Sequence, residues 1–106
     1  MKKMTLSELY TQLKTSNIPV AYDHFPEADC PDPPFIVYRV IGTDNFGADD
    51  AVYQKVLRVE IELITIGRDA AAEEALEEAL AFTFWDMTDT FSDDERVWST
   101  YYTIEI

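Results

Sequence analysis

One cysteine in 106 residues excludes an internal disulfide, so the fold must rest on packing and hydrogen bonds. That cysteine, Cys30, stands between Asp29 and Pro31 in an acidic stretch, where nearby carboxylates disfavour a thiolate and a nucleophilic role. The single histidine, His24, leaves a His/Cys metal centre short of ligands, and no serine–base constellation surrounds it. Three glycines cannot supply a glycine-rich phosphate loop. No apolar run approaches the roughly 20 residues that cross a bilayer. Two lysines follow Met1 without an apolar stretch after them, so no signal peptide is expected. Cations are the most telling shortage. Eight Lys and Arg face 21 acids, a formal charge of −13, which argues against binding a nucleic-acid backbone.

What the chain does have is apolar and aromatic matter, 47% and 13% of residues, enough to argue for a folded core. Its length fits one domain, residues 1–106. The stretch Ala51–Ile66 organises the rest. Tyr53, Leu57, Val59, Ile61 and Leu63 alternate with Gln54, Arg58, Glu60 and Glu62, which predicts one long strand with one buried face.

Ahead of it, Thr5 and Glu8 form a T-x-x-E capping box, with Met4 and Leu9 placed as a hydrophobic staple. Leu6, Leu9, Tyr10 and Leu13 then give a helical stripe, which Asn17 and Pro19 end. Ile18–Tyr22 reads as a short edge strand, because Pro19 lacks an N–H. Asp23–Pro34 holds four of the five prolines and reads as a stiff, irregular surface arm. Phe35–Ile41 predicts a strand that pairs antiparallel with the long one across a turn or hairpin tip, Gly42–Asp50.

After the long strand, Asp69 caps a second helix. Ala72, Ala75, Leu76, Ala79 and Leu80 form its inner stripe, with Glu73, Glu74, Glu77 and Glu78 expected on the opposite side. Phe82–Phe91 is rich in β-branched and aromatic residues and predicts a strand; Ser92–Glu95 turns it. Val97–Ile106 alternates, with Trp98, Tyr102, Ile104 and Ile106 on one face. The expected fold is therefore α+β: two helices on one side of a mostly antiparallel sheet of four to five strands, in the order α-β-β-β-α-β-β.

Catalytic chemistry finds no foothold. Asp44–Asp50 imitates a calcium loop, but Phe46 occupies a ligand position of the EF-hand spacing. Carboxylate pairs are abundant because the chain is acidic, and a domain this small has little room for a deep sugar cleft. No enzyme activity, metal or cofactor is expected.

The order and wording of the segments resemble a known family. Thr5-Leu6-Ser7-Glu8-Leu9-Tyr10 is followed by Ile18-Pro19-Val20-Ala21-Tyr22, a Phe25-Pro26-Glu27 step and Pro33-Pro34-Phe35-Ile36-Val37-Tyr38. Asp44-Asn45-Phe46-Gly47-Ala48-Asp49, Val52-Tyr53-Gln54-Lys55, Val59-Glu60-Ile61-Glu62-Leu63 and Tyr102-Thr103-Ile104-Glu105-Ile106 complete the pattern. This resembles the small tail-completion, or tail-terminator, proteins of long-tailed phages and prophages of Gram-positive bacteria. The resemblance implies a non-enzymatic virion protein that caps the tail tube as a ring, usually of six copies, and helps join tail to head. It implies contacts with other copies, the tail tube protein and the head–tail connector. It also implies residence in the host cytoplasm during assembly and then in the virion.

Under that reading the contact residues are expected in the loop Thr43–Asp50, with Asp44, Asn45, Phe46 and Asp49. The arm, with Phe25, Pro26 and Pro33, and Trp85 complete the set; exposed aromatics are enriched at interfaces. Ordinary core is the competing reading of Trp85. Two rival functions fit the same residues: a head–tail connector or adaptor of the same virion, and an acidic DNA-mimic inhibitor of a basic protein.

Overall fold

The structure, a computed structural model, describes residues 4–48, 50–92 and 96–106. Among these, helix α1 spans Leu6–Lys14 and α2 spans Ala70–Ala79. The strands are β1 (Val20–Tyr22), β2 (Phe35–Thr43), β3 (Phe46–Ala48), β4 (Ala51–Gln54), β5 (Leu57–Thr65), β6 (Asp86–Ser92) and β7 (Val97–Glu105). Five strands form one sheet in the order β1-β2-β5-β7-β6, while β3 and β4 form a separate two-stranded ribbon. Every pair is antiparallel except β1 with β2. With the ribbon set aside, the main elements follow the expected order α-β-β-β-α-β-β in an α+β domain.

Helix α1 begins where local chemistry dictates. The Thr5 hydroxyl accepts from the Glu8 N–H at 3.1 Å, and the Glu8 carboxylate accepts from the Thr5 N–H at 3.0 Å. Thr5→Ala should lower stability by about 1 kcal/mol, read as a lower urea midpoint at unchanged slope. The helix ends before Asn17, which adopts a left-handed conformation (φ 62°). Leu9 and Leu13 are fully buried, with Met4 and Leu6 packed beside them.

Both helices cover the same sheet face. The buried cluster joins Leu9 and Leu13 of α1, Leu76 and Leu80 at α2, and Ile36, Tyr38, Val59, Ile61, Leu63, Tyr102 and Ile104 of the sheet. The register explains the selection: Tyr38 faces Ile61 and Ile61 faces Tyr102, so these side chains share one side.

Three expectations need correction. The long strand is two strands: the chain leaves the main sheet at Lys55 and Val56, and among the described residues β4 pairs only with β3. The stretch Gly42–Asp50, expected as a turn or long hairpin tip, accordingly holds the end of β2 and strand β3. The strand placed at Phe82–Phe91 starts at Asp86, where Thr103 of β7 becomes available as partner. Residues before it continue out of α2 in a turn, with the Thr83 N–H donating to the Leu80 carbonyl at 3.1 Å. Finally, two of the four glutamates are not on the wet side of α2: Glu73 is 7% exposed and faces Arg68, and half-buried Glu77 accepts from the hydroxyl of core Tyr102.

Candidate interaction surfaces

The β3–β4 ribbon is built by what its neighbours stop providing. Leu57 and Ile106 exchange their backbone hydrogen bonds at 2.8 and 2.9 Å, the last rung between β5 and the end of β7. Beyond that rung, among the described residues, β4 has β3 alone as partner. Asp44 and Asn45 form the neck. The Asp44 N–H donates to the Val56 carbonyl at 2.9 Å, and Asn45 Oδ1 accepts from the Val56 N–H at 3.1 Å. The ribbon helps make the molecule elongated, 49 Å by 27 Å by 26 Å. Val52 on β4 is 63% exposed. Phe46 has its backbone in β3, but its side chain, like that of Tyr53, lies outside the described side chains, and Asp49 lies outside the described residues.

The proline-rich arm Asp23–Pro34 connects the parallel strands β1 and β2. Glu27–Asp29 forms one 3-10 turn within it. Phe25 meets Phe35 edge-on, with centroids 5.5 Å apart at 83°. Phe35 pairs with Ile64, so it points to the face the helices leave uncovered. Pro26 is exposed and Pro33 half-buried. His24 Nδ1 lies 3.1 Å from the Asp23 carboxylate on the surface, and Cys30 is exposed. The arm's root lies at the start of β2 and the ribbon at its end, about 26 Å away for eight steps of strand. The expected contact residues therefore divide between two ends of the sheet.

Trp85 sits at the ribbon's end but turns inward. Its ring packs edge-on against buried Tyr102 at 5.3 Å and 72°, as part of the core's margin. Its neighbour Phe84 is exposed, at 79%. Phe84 borders an open groove of about 380 Å³ with Asp44, Arg58, Asp86, Ile104 and Glu105. Asp44, hydrogen-bonded to Glu105, holds the Glu105 carboxyl above the usual glutamate range.

Three polar clusters flank these surfaces. Behind α2, Arg68 reaches Glu73 at 3.4 Å and Asp89 at 3.3 Å, and its guanidinium lies over the Trp98 ring at 5.8 Å. The Tyr102 hydroxyl donates to Glu77 Oε2 at 2.8 Å. Burial, then this bond to Glu77, pushes the Tyr102 hydroxyl well above the ordinary tyrosine range. On the uncovered sheet face, Arg39 lies among Asp23, Glu60 and Glu62 at 3.6–3.7 Å. This is a half-buried charge ladder on the face the helices leave uncovered, with Glu62 only 17% exposed.

Among the described residues, no group of three or more His, Cys, Asp or Glu is arranged to hold a metal ion. No described helix is long and apolar enough to cross a membrane. Sequence reasoning missed Phe84, Val52 and Glu73. For Glu73 a signal existed: at about 100° per residue it lies only about 20° from Leu80 on the helix wheel. No protein-family model matches the sequence, and no curated protein matches it.

Proposed function

We propose that this chain is a structural virion protein that caps a phage tail tube as a ring of copies and helps join the tail to the head. The observation that carries the reading is the β3–β4 ribbon, which leaves the main sheet and exposes Val52. A two-stranded ribbon is marginal by itself in water, so a partner surface is its natural support. Copies joined head to tail through unlike surfaces close into a ring when the rotation between them allows.

The charge of −13 fits a passage for DNA that must slide without sticking. The segment order that resembles tail-terminator proteins supplies the identity of the tube. Tail tube protein and head–tail connector are the partners this reading requires.

The test is tube length. Tube protein of a matching phage, allowed to polymerise with this protein present, should give shorter, blunt-ended tubes by electron microscopy, with added density at one end. An unchanged length distribution at excess protein, with bare ends, would remove the capping role.

A further inference from the structure

The main sheet has two outer strands, β1 and β6. They are unequal. Strand β1 offers three residues, and β6 offers seven, Asp86–Ser92, with the outer row of backbone N–H and C=O groups unpaired within the sheet. An exposed edge of that length is a template for another strand. On the same molecule, β4 is a four-residue strand whose outer side lies beyond the last rung of β7. One chain therefore carries both a projecting strand and an edge to receive it. They cannot be the two sides of one intramolecular pair, because the ribbon has left the sheet on the β2–β5 side while β6 lies across β7.

Charge selects the alignment. Lys55, directly after β4, and Asp86, the first residue of β6, form no ion pair with any other described residue. In a chain with 8 cations and 21 acids, a contact that sets one of the scarce cations against an acid relieves the repulsion between copies. We propose that β4 of one copy adds antiparallel to β6 of the next, with Lys55 set against Asp86, so that the sheet continues from subunit to subunit. The contact is heterologous, a strand giving to an edge, as ring closure demands. It also covers Val52 on the ribbon and Met87 on β6, both exposed in the single copy. The inference rests on the ring reading above and names the surfaces that make it.

The experiment is a charge swap read by native mass spectrometry and light scattering, with far-UV circular dichroism confirming the fold of each variant. Lys55→Glu and Asp86→Lys each place like charges together, which should raise the concentration needed for assembly by roughly tenfold or more. The double swap should restore assembly. A wild-type ring that both single variants leave intact overturns this inference while the ring stands. Loss in the singles without recovery in the double variant overturns the pairing of Lys55 with Asp86. A wild-type protein that stays monomeric at every concentration and is not retained on tail tubes overturns both the inference and the ring.

Discussion

Replacing Ile61 with alanine is expected to lower the unfolding free energy by about 2–5 kcal/mol. Ile61 is fully buried on β5, the central strand, between Tyr38 of β2 and Tyr102 of β7. Those two large neighbours are themselves fixed. Tyr38 meets Tyr22 edge-on at 5.1 Å, and Tyr102 is held by Trp85 on one side and Glu77 on another. Neither can collapse into the space the isoleucine leaves, so both the transfer loss and the cavity are felt. Against a total of roughly 5–15 kcal/mol for a domain of this kind, the loss is a large share. Val52→Ala on the exposed ribbon should stay within about 0.5 kcal/mol in the monomer. Urea unfolding of both variants checks the contrast, and a loss below about 1 kcal/mol at Ile61 would contradict the packing described.

Alkaline pH should also unfold the protein earlier than its carboxylate-rich composition suggests. Tyr102, Tyr38 and Tyr101 all hold their hydroxyl protons above the ordinary tyrosine range, in each case first because burial disfavours the charged form. The unfolded chain releases those protons near its ordinary value of about 10. A raised folded-state value means the stabilisation is complete below about pH 10 and is lost as pH rises towards the folded-state values. Fully buried Tyr102 alone should steepen the loss by about 1.4 kcal/mol per pH unit above that point. Tyr102→Phe should cost about 1 kcal/mol at neutral pH, where Glu77 loses its donor, and should flatten the decline above pH 10. Urea midpoints from pH 8 to pH 11 decide it. Equal slopes for both proteins would show that Tyr102 ionises no differently when folded.

How much of this could be read from the chain depends on how local the cause is. The capping box at Thr5 and Glu8 involves residues three apart, and the Asp69 cap on Ala72 N–H is equally local; both were legible. The alternation of Val59, Ile61 and Leu63 also names its own buried face, because strand period is fixed by the backbone. The break at Lys55 and Val56 is different. It follows from Asn45 capturing the Val56 N–H and from β7 pairing no further than Leu57, two events set by residues far along the chain. The inward turn of Trp85 and outward turn of Phe84 likewise follow from where β6 can find Thr103. Propensity favours a strand over both, and the partner decides where it begins. Of the expected contact residues, Asp44 and Asn45 are set at the ribbon's neck, while Phe25 packs on Phe35 at the far end of β2.

The measurement that bears most directly on the ring is the mass of the assembled protein. Native mass spectrometry with light scattering, from low to high concentration and with short tail tubes added, should find a discrete species of six copies, alone or on tube ends. A single 12.2 kDa copy at every concentration, with nothing retained on the tubes, would contradict the account.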